Sequence, residues 1–333
     1  MAHKLEAMIV VIGEALIDLI EDKSASGSYE AVVGGANANV AIALARAGVK
    51  QQLLARISTD AFGQKIRGRL IENQVGLDFA VSASEPSSVA IASIDAQGVA
   101  SYSFSVNGTA DWGWTESELP AVRTLHELGA TAVQFGCLAM AMAPGNAVIE
   151  AWVKELYEAD FLTLSHDVNV RPALGFDPQK ERARIERINS FSHIIKASDD
   201  EINWLYGLEH GANLDQIAWD WIGDSSKLVF VTKGDAGVSI YRTGGIRLDL
   251  PARKVQVQDT VGAGDTFCAT VLAQLENMGF LGAKPLDLLE KISNEQLIEI
   301  ARVASIAASM ACEKTGAEPP TDGELADLLV LLA

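Results

Sequence analysis

The sequence predicts an α/β chain: a doubly wound, mainly parallel β-sheet flanked by helices, with a small separate β-sheet beside it. Three observations carry this. Between residues 131 and 231, four short apolar runs alternate with helical segments at βαβ spacing, and no linker interrupts them. Residues 8–12, Met-Ile-Val-Val-Ile, are a β-branched apolar run of the kind that forms a strand buried on both faces. From 79 to 106 the apolar period changes to two, which suits an antiparallel sheet better than a parallel core. At 333 residues one large core is affordable. The expected organisation is a single domain over 1–333, with the small sheet built from about 14–34 and 79–111.

Bulk properties remove several function classes. The net charge of −18 argues against nucleic acid and anionic membrane as partners. The most apolar window, 130–149, is broken by Gln134, Pro144, Gly145 and Asn146, so it does not read as a membrane span. Cys137, Cys268 and Cys312 are odd in number and far apart, which suits reduced thiols of a cytoplasmic protein and no disulfide or zinc framework. The first six residues have no signal-peptide shape.

In chain order, the first strand leads through Gly13 to Glu14-Ala15-Leu16-Ile17-Asp18-Leu19-Ile20, where Asp18 is a lone carboxylate among apolar neighbours. By spacing alone it is either an edge-strand acid facing water or a ligand group. A turn is expected at Lys23–Ser28. Val32-Val33-Gly34-Gly35 then enters an Ala-rich helix closed by Gly48, with Asn39 one turn in, able to donate and to accept. Residues 53–57 read as a strand and 60–73 as an amphipathic helix. Asp95-Ala96-Gln97-Gly98 is a turn between two alternating runs. Asn107 and Asp111 follow, either turn formers or polar groups for a ligand.

The later strands end on polar residues. Asp167-Val168-Asn169-Val170-Arg171-Pro172 offers Arg171 as the best phosphate-directed cation. Ser198-Asp199-Asp200-Glu201 reads as a capping box. Gly244-Gly245 marks a hairpin tip between 238–242 and 246–250. Residues 294–313 are a long Ala-rich helix.

The most informative stretch is Asp259-Thr260-Val261-Gly262-Ala263-Gly264-Asp265-Thr266-Phe267, opening an apolar helix that stops near Gly279. A Gly-rich turn feeding a helix aims free N–H groups at one point, an anion site. Asp265 at that point would repel an anion. It makes sense as a base that takes a proton while the amides hold developing phosphoryl charge; a plain helix cap is the competing view.

This string resembles the C-terminal signature of the PfkB (ribokinase-like) carbohydrate kinase family. Gly34-Gly35-Ala36-Asn37-Ala38-Asn39-Val40-Ala41, with its Gly-Gly-x-x-x-Asn-x-Ala spacing, resembles the N-terminal signature of the same family. The resemblance implies Asp265 as catalytic base and the backbone of Gly262, Ala263 and Gly264 as anion hole. It assigns sugar hydroxyls to Asp18, Gly34, Gly35 and Asn39, brings Asn107 and Asp111 within reach of the sugar, and makes the small sheet a lid that excludes water. Thr232-Lys233-Gly234-Asp235-Ala236-Gly237 resembles the family's Thr-x-Gly-x-x-Gly turn, so Thr232, Gly234 and Gly237 fall beside the nucleotide phosphates with Arg171. Glu201 matches the Glu of an Asn-x-x-Glu motif that organises Mg²⁺ through water, with Ser198 in place of the Asn. Ser305 stands where an Asn is common at the adenine. Asp259 and Thr260 are compatible with a K⁺ ion beside the turn.

The implied activity is ATP-dependent phosphorylation of a sugar. Val133-Gln134-Phe135-Gly136-Cys137-Leu138-Ala139 and Asp167-x-Asn169-x-Arg171 look closer to fructokinases than to ribokinases, which place a Glu near the first stretch. Fructose is therefore the expected acceptor, with ribose, 2-keto-3-deoxygluconate and nucleosides as alternatives. From another class, a catalytically silent sugar-binding regulator is disfavoured by the intact Asp265. The spacing Gly-x-Gly-x-x-Gly of a dinucleotide site and the Walker A pattern are both absent. Pairing of two lids into a homodimer is what the family suggests.

Overall fold

The computed structural model describes residues 6–21, 27–94 and 100–332. The strands in chain order are β1 (Met8–Ile12), β2 (Leu16–Glu21), β3 (Tyr29–Gly34), β4 (Gln51–Leu54), β5 (Arg56–Ser58), β6 (Val81–Ala83) and β7 (Val89–Ile94). They continue with β8 (Ala100–Ser105), β9 (Ala130–Gly136), β10 (Thr163–Asp167), β11 (Ile194–Ser198), β12 (Leu228–Thr232), β13 (Val238–Arg242) and β14 (Ile246–Leu250). The helices are α1 (Ala36–Arg46), α2 (Ala61–Glu72), α3 (Val122–Glu127), α4 (Gly145–Ala159), α5 (Pro178–Ser190) and α6 (Asp199–Tyr206). After them come α7 (Asp215–Ile222), α8 (Ala263–Asn277), α9 (Pro285–Glu290), α10 (Asn294–Cys312) and α11 (Asp322–Leu332).

Eight strands form the main sheet in the order β14-β13-β12-β11-β10-β9-β1-β4. It is parallel from β4 to β12 and turns antiparallel at β13 and β14. Because side chains alternate along a strand, β1 feeds both faces. Ile9 and Val11 join the core beneath α1, α8 and α10, while Met8, Val10 and Ile12 join the core beneath α4. A third apolar cluster lies between β11, β12 and the helices α6 and α7. The expected doubly wound sheet is present. Among the described residues no helix is long and apolar enough to cross a membrane.

The small sheet has the order β3-β2-β7-β8. Its central pair, β2 and β7, runs parallel, so it is not the simple meander that the alternating pattern suggested. Asp18 lies on β2, between β3 and β7, and is therefore not on an edge strand. The single strand expected at 53–57 is two. It breaks at Ala55, after which β5 leaves the main sheet and pairs with β6 in a separate two-stranded sheet. An unbroken apolar run carries no mark of this change of partner. Since β6 belongs there, the second segment of the small sheet begins at Val89 and not near 79. Residues 22–26, most of the first expected turn, and the whole turn at 95–98 lie outside the described residues.

Phe230 of β12 is 1% exposed and meets Phe267 of α8 edge-on, with ring centroids 6.0 Å apart. This contact seats the helix that carries Asp265 on the sheet. Phe230→Ala is expected to lower unfolding free energy by about 3–5 kcal/mol in urea titration, the range for truncating a buried aromatic. A loss below about 1 kcal/mol would contradict this seating, since it would match an exposed site.

Candidate active site

Two strands of the main sheet bring polar residues to the start of α8: Asn169, after β10, and Lys196, on β11. Gly262 caps that helix in the left-handed conformation (φ +77°), which places Asp265 in its first turn. The first N–H groups of a helix have no partner inside it; here the N–H of Ala263 donates to the Thr260 carbonyl at 3.3 Å, which leaves those of Gly262 and Gly264 as the candidate donors. A Cβ on Gly264 would stand 3.0 Å from Nζ of Lys196, so this position leaves space for a buried ammonium.

Asp265 is 7% exposed. Asn39 of α1 donates through Nδ2 to its Oδ2 at 2.8 Å, and Asn169, after β10, has Nδ2 3.5 Å from its Oδ1. Burial pushes the Asp265 carboxyl up to about 6, and the charge of Asp167 adds to this; the Asn39 bond, Lys196 and Arg171 oppose it. At neutral pH it is thus an ionised carboxylate with a proton affinity well above that of an ordinary aspartate.

Arg171, whose charge acts on Asp265, acts also on Asp18 of the small sheet. A Cβ on Gly34 would stand 2.0 Å from Oδ2 of Asp18, so only glycine lets that carboxylate lie flat on β3. Burial raises Asp18 to about 6, against the pull of Arg171. Behind Gly35, Glu14 accepts from the N–H of Ala36 at 3.0 Å and from Nδ2 of Asn37 at 3.1 Å, fixing the turn into α1.

Arg171 points its Nη1 at the carbonyls of Asn169 and Val170, both at 3.2 Å, and at the Asn169 side chain. Ser198 and Glu201 form the expected capping box at α6: Ser198 N–H donates to Glu201 Oε2 at 2.8 Å and Ser198 Oγ accepts from Glu201 N–H at 3.2 Å. Burial raises the Glu201 carboxyl while Lys196 draws it down. Thr232 closes β12 with its hydroxyl 3.5 Å from the Ala197 carbonyl. Gly234 sits in an exposed turn, whereas Gly237 is glycine for a packing reason, since a Cβ there would meet the Leu250 carbonyl at 2.0 Å. Ser305 lies partly exposed on α10. Asp259 accepts from the N–H groups of Val261 (3.0 Å) and Gly316 (2.9 Å), tying the turn before α8 to the loop beyond α10, and Thr260 is exposed.

One expectation changes. Asp111 does not offer itself to a sugar: it is 1% exposed, its Oδ1 accepts from Ala15 N–H at 2.9 Å and its Oδ2 from the Ser88 hydroxyl at 2.6 Å. Burial pushes it up to about 7. Asn107 is exposed where β8 ends. A residue that no motif marks also lies here: Lys196, whose Nζ binds both oxygens of Asp167 (2.9 and 3.1 Å) beneath Gly264. A lysine inside the apolar strand Ile194-Ile195-Lys196-Ala197 was the available signal.

Fold and site together define a doubly wound α/β enzyme with its polar groups gathered at the C-terminal strand ends, under a second small sheet. Residues 6–322 match the family described as pfkB family carbohydrate kinase. A fructokinase of Rhizobium leguminosarum bv. trifolii is 33% identical over 288 residues, 85% of this chain and 84% of that protein. A fructokinase of Klebsiella pneumoniae is 30% identical over 276 residues, 83% of this chain and 86% of its own. The crystal structure of a Xylella fastidiosa fructokinase with bound ATP superimposes with a TM-score of 0.86 at 25% identity, covering 98% of both chains. The chain belongs to the pfkB family of carbohydrate kinases, and it is an ATP-dependent sugar kinase.

The raised carboxyl of Asp265 has a stability consequence. Its folded value lies above the ordinary 3.8, so the stability it contributes is present below pH 3.8 and is lost as pH rises through about 6. Asp265→Asn is therefore expected to be more stable than wild type at pH 8, by on the order of 2–3 kcal/mol, and to converge with it near pH 4. Equal melting temperatures at pH 8 would mean that the carboxylate is not strained by burial.

Proposed function

We propose that the protein phosphorylates fructose at a primary hydroxyl, with Asp265 as general base. One observation supports this reading: a carboxylate with its proton affinity raised by burial sits in the first turn of α8, the end of a helix that favours an anion. The hydroxyl proton passes to Asp265, the oxygen attacks the γ-phosphorus in line, the bond to the bridging oxygen breaks and ADP leaves. N–H groups of Gly262, Ala263 and Gly264 take up the charge on the transferred group, with Arg171 and the Lys196 ammonium as the nearby cations. Fructose is favoured because the curated relatives named above are fructokinases.

Asp18 and Asn39, with the turn at Gly34 and Gly35, would hold the sugar, and the four-stranded sheet would be the lid that keeps water from the γ-phosphate. Thr232, Gly234 and Gly237 would face the nucleotide phosphates and Ser305 the base. Glu201, an oxygen donor, suits a hard divalent ion and would hold Mg²⁺ through water, where the ion supplies charge neutralisation at the phosphates. A K⁺ ion is proposed at Asp259 and Thr260. Replacing K⁺ by Na⁺ should lower turnover, and equal rates would remove that ion from the scheme.

The test is ADP release across fructose, ribose, 2-keto-3-deoxygluconate and nucleosides. Fructose should give the highest kcat/KM, and Asp265→Asn should lose roughly 10²-fold or more in turnover, the scale of general-base catalysis. Another acceptor in first place would overturn the choice of sugar. Full activity in Asp265→Asn would overturn the mechanism, and no release with any acceptor would favour the silent sugar-binding regulator.

A further inference from the structure

Four crossings join the small sheet to the rest of the described chain, at Ala15, at Gly35, at Ser88 (from the two-stranded sheet of β5 and β6) and at 106–111. One buried carboxylate touches three of these crossings. Asp111 Oδ1 accepts from the N–H of Ala15, and Oδ2 accepts from the hydroxyl of Ser88, which also lies 2.5 Å from Oγ1 of Thr109 on the returning segment. Backbone bonds bind the same strands beside it, Ile17 N–H to Ser88 O at 3.0 Å and Ala110 N–H to Pro86 O at 2.9 Å. Beneath them the buried guanidinium of Arg56 donates to the Ala110 carbonyl at 2.9 Å, to Glu85 at 3.0 Å and to Glu118. The fourth crossing is held from the adjacent residue, since Glu14 takes the N–H of Ala36.

We propose that Asp111 is a positioning residue for the lid: its carboxylate pins three crossings together and so sets the angle at which the small sheet, with Asp18, closes on the acceptor. It acts through the backbone and touches neither substrate. A carboxylate suits this because its two oxygens can accept from two different strands at once, which no single hydroxyl or amide carbonyl does with the same geometry. The cost is desolvation of a buried carboxyl, which the two hydrogen bonds it accepts offset.

The proposal rests on reading the small sheet as a lid, and the experiment separates the two. Ser88→Ala removes one arm of the pin, and Asp111→Asn turns one of its two accepting oxygens into a donor facing the Ser88 hydroxyl, both at nearly the same volume. Assayed with fructose and ATP, both should raise the sugar KM roughly five-fold, the equilibrium shift of one lost net hydrogen bond, with the ATP KM nearly unchanged. They should also raise the ratio of ADP released to water to ADP released to sugar, a readout that loss of stability alone does not move. Asp18→Ala serves as the lid control. A raised sugar KM in Asp18→Ala with wild-type behaviour in Ser88→Ala and Asp111→Asn would overturn the pin alone. An unchanged sugar KM in Asp18→Ala would remove the lid reading and the pin with it.

Discussion

Everything in the site depends on keeping one carboxylate ionised in a place where water is scarce. Burial alone would drive Asp265 toward its neutral form, and Asp167 pushes the same way. Three things oppose that: the bond from Asn39, the positive charges of Lys196 and Arg171, and the electropositive start of α8. The balance leaves a group that is charged at neutral pH yet a much better proton acceptor than a solvated aspartate. Such a poise can be reached only by opposing large terms, which is why so many polar side chains converge on one helix start.

That convergence explains the packing around it. Lys196 brings the positive charge up from β11 but must be held, and Asp167 holds it through both oxygens. The ammonium then occupies the space that a side chain at 264 would need. On the small sheet the same logic recurs, since the Asp18 carboxylate fills the space over Gly34. In both places glycine serves an electrostatic arrangement as much as a backbone turn. The apolar layers behind, with Phe230 against Phe267, give these groups a rigid footing.

Much of this was legible in the sequence, for identifiable reasons. β1 at Met8–Ile12, the hairpin of β13 and β14, and α10 follow from local periodicity, which needs no knowledge of partners. The Gly-Ala-Gly-Asp turn is local too, so its place at a helix start could be read directly. What escaped depends on contacts between distant segments. The switch of β5 to β6, the parallel pairing of β2 with β7, and the ion pair of Lys196 with Asp167 join residues about 25 to 72 positions apart. Asp111 is the instructive case: next to a turn it looks like a ligand group, yet Ala15 and Ser88, 96 and 23 residues away, take both of its oxygens.

The central claim, a buried carboxylate that must be ionised to start phosphoryl transfer, is tested most directly by the pH dependence of kcat/KM for the acceptor sugar. The expected profile is flat at and above neutrality and falls on the acid side with a midpoint near 6, the value to which burial raises Asp265. Because Asp18 is also raised to about 6, the comparison is made in an Asp18→Asn background, where the residual activity of Asp265→Asn should lack that limb. A wild-type profile that stays level through pH 6, or an acid limb that survives the substitution unchanged, would contradict the assignment.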